Sequence, residues 1–250
     1  MKLFGALLSF EEAKKIVEEI IKPIDRVEMV DIDDAVGRIL ADNFVAALDT
    51  PPFNRSAMDG YAVRAEDTFG SGQMKPNVLE MVGTLHAGDT PSNAVAAGQC
   101  IQIATGAMMP DGADAVVMVE DTEAGDGRVK IFKPTYPKAN VGKLGEDIKS
   151  GESVLKQGAL LDAGKVGVLT SQGITAIKVY EKPRVAILPS GEEIAEIGSE
   201  LKPGQLYDIN SHTIASVVKE NGGIPLRMGV VGDTKEDIRA KISSALDNDL

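Results

Sequence analysis

The texture of the chain changes at Pro183, and that change limits the fold more than any other feature. Before it, from Tyr61 to about Ile131, short apolar runs are separated by Gly, Pro, Asn and Asp, which reads as β structure. Val78 to Val82, Cys100 to Ala104, Ala115 to Val119 and Val129 to Phe132 are the strand candidates. After it, Val185-Ala186-Ile187-Leu188 is a continuous apolar run, as a central strand covered on both faces requires. Asn210 is placed to cap a helix from Ser211 to Asn221 that Gly222-Gly223 stops. Ile224 to Val231 is a second strand, and Asp233-Thr234 opens a helix with Ile238, Ile242, Ala245 and Leu246 on one face. Strand–helix–strand–helix is the opening of a doubly wound α/β domain. Such a helix should hand over to another parallel strand, and Leu250 comes first, so the chain is expected to be a fragment whose α/β layer is incomplete.

At the other end, Ser9-Phe10-Glu11-Glu12 is a capping box, and Phe10, Ala13, Ile16, Val17, Ile20 and Ile21 recur at helical spacing. They predict an amphipathic helix over 9–22. Val27 to Ile32 reads as a strand, and Asp33 or Asp34 as the cap of a short helix through Ala35 to Leu40. A helix near Ala163 to Ser171 and a strand through Lys178-Val179-Tyr180 return the chain to this first module.

Between the modules lies Thr50 to Val63, T-P-P-F-N-R-S-A-M-D-G-Y-A-V. Pro51 and Pro52 fix two φ angles and remove two donors. Asp59-Gly60 is a turn pair, with Gly60 able to take a positive φ. The segment is built to hold a carboxylate still, or it is a plain surface turn joining two structural units.

The 250 residues suit one large or two smaller domains, and 43% apolar residues make the chain globular. Its 26 Lys and Arg against 38 Asp and Glu give a net charge of −12, which excludes the basic face of a non-specific nucleic-acid binder. An anion could bind only where local Lys, backbone N–H groups or a metal reverse the field. Cys100, the single cysteine, rules out a disulfide framework and is expected in the core. His86 and His212 lack metal-ligand spacing and read as structural. Met1 to Leu8 is too short for a signal-peptide core and no later run could span a membrane, so a cytoplasmic location is expected.

In α/β sheets the ligand crevice lies outside the carboxyl ends of the strands. The first such end carries Pro189-Ser190-Gly191-Glu192-Glu193, where Ser190 and Gly191 suit an oxyanion and Glu193 is the acid. The second carries Gly229 to Asp233, with Asp233 a helix cap or a site residue. Asp59, Asp147, Glu193 and Asp233 each sit in a Gly-containing loop, where turn chemistry is the plainer explanation of each one. Taken together, carboxylates near a phosphate fit Mg²⁺ and a phosphorylated small molecule. Thr105-Gly106, at a strand exit, faces a ligand or stabilises a turn.

Four ordered segments then become recognisable: S-A-M-D-G-Y-A-V at 56–63, Thr105-Gly106 with P-D-G-A-D-A-V-V at 110–117, Gly145-Glu146-Asp147, and P-S-G-E-E at 189–193. They resemble the molybdopterin molybdenumtransferase (MoeA) family, whose animal relative forms the E domain of gephyrin. The resemblance implies insertion of molybdate, or tungstate, into adenylylated molybdopterin, with AMP released and Mg²⁺ assisting. It implies a homodimer, a molybdopterin adenylyltransferase as upstream donor, and no nucleic acid or membrane. The fold it implies is a discontinuous α+β linker and dimerisation domain (1–47 and 142–181), an inserted β-rich domain (48–141), and the N-terminal part of an α/β molybdopterin-binding domain (182–250). Family members place their cleft between the β-rich domain of one subunit and the α/β domain of the other.

By motif, Asp59, Thr105, Asp147, Glu193 and Asp233 would be catalytic, Glu193 and Asp233 would position metal or water, and Ser190, Gly191 and Lys143 would contact the cofactor. Thr105 would meet an oxyanion or substrate, and Asp59 would orient substrate or metal. Where many relatives carry an Arg, this chain has Gly142, with Lys143 beside it as a point charge instead of a bidentate fork. Family chains continue into an S-G-G-x-S-x-G loop, downstream lysines and a C-terminal β-barrel, which the 250 residues do not contain. The competing readings are a non-catalytic dimerising scaffold of the gephyrin type and a stably folding dimerisation piece of the enzyme that has no turnover by itself.

Overall fold

The structure, a computed structural model, describes residues 8–250; the leader reading of the first residues falls largely outside them. The chain opens with helix α1 (Phe10–Ile20), strand β1 (Val27–Asp31) and a 3₁₀ turn at Ile32–Asp34. The capping box forms as the sequence dictates: Ser9 Oγ accepts from the N–H of Glu12, and the Glu12 carboxylate accepts from the N–H of Ser9. Ten strands follow: β2 (Phe44–Val45), β3 (Arg55–Ser56), β4 (Gly60–Val63), β5 (Asn77–Leu85), β6 (Gln99–Ile103), β7 (Ala115–Met118), β8 (Thr122–Gly125), β9 (Arg128–Ile131), β10 (Val141–Gly142) and β11 (Ser153–Leu155). The last part holds α2 (Ala163–Ser171), β12 (Ala176–Tyr180), β13 (Arg184–Ile187), the short β14 (Ile194–Ala195) and β15 (Leu206–Tyr207), α3 (Asn210–Glu220), β16 (Ile224–Arg227) and α4 (Lys235–Ala245). Among the described residues no helix is long and apolar enough to cross a membrane.

The described residues form two compact units, one of residues 8–42, 157–170 and 174–250, the other of 43–156 and 171–173. The second is built on a six-stranded mixed sheet ordered β7-β4-β6-β5-β9-β8, in which only β5 and β6 run parallel. Alternation sends Tyr61, Val63, Cys100, Ala115 and Val117 to one core and Ala62, Ile101, Ile103 and Val116 to the other. Both faces of the central strands are therefore covered, which is why these strands read as unbroken apolar runs. Each Val or Ile fully buried there contributes roughly 1.5–3 kcal/mol. Cys100 is buried in this core, as expected.

In the first unit β1 pairs antiparallel with β12, from Val27 opposite Tyr180 to Asp31 opposite Ala176. The helix expected over 35–40 does not form. Gly37 takes φ +79°, and Ile39 and Leu40 instead make bridges to Leu160 and Val179. Leu40 is buried with Leu161, Leu169 and Val179, so burial of that side chain overrides the local capping signal. Farther on, β13 and β16 lie parallel with Arg184 opposite Ile224, and α3 packs on them. Helix α2 follows the sequence reading, as do β13, α3, β16 and α4, but the unexpected short parallel pair β14–β15 comes between β13 and α3. Only Ile187 of β13 is buried, with Val185 and Ala186 half-covered, so this strand is less enclosed than its apolar run implies.

Candidate functional site

The second unit holds Asp59, Thr105, Lys143 and Asp147. Asp59 immediately precedes β4 and Thr105 follows β6, the strand hydrogen-bonded to it, so the sheet register brings the two side by side. The Thr105 backbone N–H donates to Asp59 Oδ1 at 2.7 Å and its hydroxyl donates to the same oxygen at 3.0 Å. These bonds, the backbone one first, hold the Asp59 carboxyl below its ordinary range, so it is ionised at neutral pH. Both residues are exposed, and Asp59 lines a small cavity of about 140 Å³ with Thr84, His86 and Gln102. His86, expected to be structural, is exposed and lines this cavity.

Gly60 is required for a reason that the sequence reading missed. Its φ is not positive; a Cβ there would sit 1.9 Å from the Val117 carbonyl oxygen. Close approach of neighbouring strands, not turn geometry, selects glycine. The preceding loop is tied down by buried Gln172, whose Oε1 accepts from the N–H groups of Ala47 and Leu48 at 3.0 Å. Its Nε2 donates to Thr50 Oγ1 at 3.0 Å. The Gly145–Asp147 turn is fastened to the same loop, with the N–H of Gly145 on Pro51 O and that of Asp147 on Thr50 O. Lys143 lines a separate cavity of about 370 Å³ with Asn54, Asp114 and Lys138. Opposite Gly142, across β3–β10, stands Arg55, whose Nε would be 3.5 Å from a Cβ at that glycine.

The first unit holds Ser190, Gly191, Glu193 and Asp233. The parallel pair continues past its strands: Val231 N–H donates to Pro189 O at 2.8 Å, and Ser190 bridges Val231. The loops after β13 and β16 therefore leave from one end of the pair, the carboxyl end, with Glu193 on one and Asp233 on the other. Gly191 has φ +139°, and a Cβ there would lie 2.8 Å from both Glu193 carboxylate oxygens, so the acid folds back over the glycine. Asp233 is not the helix cap. Thr234 is, its Oγ1 accepting from Asp237 N–H at 3.1 Å, which leaves Asp233 just outside the helix.

Four residues that sequence reasoning did not assign share this carboxyl end. A cavity of about 400 Å³ is lined by Asp208, Ser211, His212 and Arg227, among others. Asn210 does not cap α3: the cap position is Ile209, without a side-chain bond, and just before it Asp208 Oδ1 accepts from Ser211 N–H at 2.9 Å while Oδ2 accepts from the Ser211 hydroxyl. The Ser211 hydroxyl bond chiefly holds the Asp208 carboxyl below its ordinary range, and both residues are buried. An aspartate three residues before a serine at a helix start was the available signal. Among the described residues no group of three or more His, Cys, Asp or Glu could hold a metal by itself.

Comparison with known proteins bears on both units. A model of the MoeA N-terminal region (domain I and II) matches residues 8–173, and one of a probable molybdopterin binding domain matches residues 193–250. The molybdopterin molybdenumtransferase of Nostoc sp. is 36% identical over 243 residues, covering 96% of this chain and 56% of its own. That of Haemophilus influenzae is 32% identical over 241 residues, covering 96% and 58%. A solved structure of the molybdopterin biosynthesis MoeA protein from Pyrococcus horikoshii matches with a TM-score of 0.91 at 35% identity, covering 97% of this chain and 64% of that one. The chain thus spans little more than half the length of these curated relatives. The match to the MoeA N-terminal region alone takes in more than half of the residues, and the chain belongs to the MoeA family.

Proposed function

We propose that the protein acts in molybdenum cofactor biosynthesis, inserting molybdate or tungstate into adenylylated molybdopterin with release of AMP. The observation that carries this reading is the delivery of two acid-bearing loops, 189–193 and 229–233, to one carboxyl end of a parallel strand pair. That is where α/β sheets bind phosphorylated ligands. Ser190 and Gly191 offer a hydroxyl and a backbone N–H to an oxyanion. Asp59, hydrogen-bonded twice by Thr105, is an acceptor fixed in place before ligand arrives. Asp147 and Lys143 join this reading through their motif alone.

The carboxylates of Glu193 and Asp233 are hard oxygen donors of the kind that suits Mg²⁺, which keeps waters and takes oxygens from substrate phosphates. Glu193 and Asp233 would hold it, and it would supply charge neutralisation at the phosphates. The relatives' transferase names favour the enzyme over the scaffold. We further propose a homodimer in the cytoplasm, supplied by a molybdopterin adenylyltransferase. Helix α1 has no buried residue and exposes Phe10, Val17 and Ile20, which supports a partner for its apolar face. A lone cysteine suits a reducing compartment. The three-part division at 47/48, 141/142 and 181/182 belongs to the same reading.

The test is AMP release from adenylylated molybdopterin with Mg²⁺ and molybdate, compared among the wild type, Glu193→Gln and Asp59→Ala. Loss of release in both variants is expected. Unchanged release in both would remove these residues from the reaction.

A further inference from the structure

The crevice beyond β13 and β16 contains a cationic arm that the motifs do not mark. Arg227 is the last residue of β16, and its Nη1 lies 2.5 Å from Nε2 and 3.3 Å from Nδ1 of His212 on α3. A guanidinium has donors and no acceptor, so the ring nitrogen is the acceptor in this contact. Two acids, Asp208 and Glu196, line the same cavity, and the charge of Arg227 helps, after the Ser211 hydrogen bonds, to hold the Asp208 carboxyl low. Asp208 turns both oxygens to Ser211, and among the described residues Arg227 has no carboxylate within 4.0 Å. A guanidinium held against an imidazole, without a direct ion pair, is the cationic group that this cavity of about 400 Å³ offers to an anionic ligand.

We propose that Arg227, aligned by His212, is the anion-contacting residue of this crevice and takes a phosphate ester. The planar fork of Arg matches phosphate oxygens bidentately, which a lysine does not reproduce. His212 is a positioning residue and acts through Arg227. The inference deepens the proposed function and rests on it for the ligand's chemical class.

The experiment is calorimetric titration of the purified chain with AMP, using adenosine as the uncharged control. AMP should bind at least ~10-fold more tightly than adenosine, and Arg227→Ala should lose about that factor, with Arg227→Lys recovering part of it. His212→Gln, which keeps an acceptor, should stay within ~3-fold of wild type while His212→Leu weakens binding by ~5-fold. Circular dichroism establishes that each variant is folded, and Arg227→Gln replaces Arg227→Ala if the latter is not. An Arg227 variant within twofold of wild type overturns the proposal, as does equal binding of adenosine and AMP or no AMP binding by folded wild type. AMP release that still depends on Glu193 would leave the proposed function standing in each of those cases.

Discussion

Thr105 donates both its backbone N–H and its hydroxyl to one oxygen of Asp59, across the β4–β6 register. The sheet supplies the first bond and the side chain the second, so the two can be separated by mutation. Thr105→Val keeps the N–H and the shape while removing the hydroxyl. The Asp59 carboxyl, held low in the wild type, should rise toward the ordinary value of about 3.9. The folded-state pKa is depressed, so the contact is fully present above the ordinary carboxylate range and is lost as pH falls through the folded value. Carboxyl-carbon NMR titration of Asp59 in both proteins measures this; superimposable curves would mean that the hydroxyl does not bias the acid.

Gly60→Ala should be among the most damaging single-methyl additions in the second unit. The new carbon would meet the Val117 carbonyl at 1.9 Å, and β4 is flanked by strands on both sides, so neither neighbour can withdraw cheaply. Overpacking against backbone in such a site should cost about 3 kcal/mol or more. At this chain length that lowers the melting temperature by roughly 6–12 °C. A drop under 2 °C in thermal unfolding would show that the sheet relaxes around the methyl.

How much of this was legible in the sequence depended on whether burial wrote a periodic signal. The central strands β4, β6 and β7 are covered on both faces, and their apolar runs announced them. Strand β8, Thr-Glu-Ala-Gly at the sheet edge, carries no apolar period and was missed. Ala35 to Leu40 looked helical because acids precede an apolar pair, yet Ile39 and Leu40 found strand-like partners more than 100 residues downstream. The motif residues were recognisable by order and spacing. Asp208, His212 and Arg227 were not, because their meeting at one cavity depends on α3 packing over β16.

Helix α1 supplies a prediction about assembly. An 11-residue helix is marginal in water by itself, and this one leaves Phe10 79% and Ile20 71% exposed. If a second copy covers that face, Val17→Glu with Ile20→Glu should convert dimer to monomer and reduce helix content. Sedimentation velocity at micromolar concentration, with far-UV circular dichroism, reads both. A wild type that sediments as a monomer would rule out the dimer.

The buried Asp208–Ser211 pair links the start of α3 to pH. Ser211→Ala removes the hydroxyl donor from a carboxylate that is almost without solvent, which should cost about 1–3 kcal/mol at pH 7. Asp208→Ala also removes the acceptor of the Ser211 N–H in the first turn of α3, at about 1 kcal/mol for the helix end alone. The Asp208 carboxyl is depressed in the folded state, so its stabilising contribution exists above the unfolded carboxylate range near 3.9 and disappears as pH falls through the folded value. Urea unfolding at pH 7 should therefore separate wild type from Asp208→Asn, and the gap should narrow toward pH 3. A gap that is the same at both pH values would assign the stabilisation to the shape of the side chain and not to its charge.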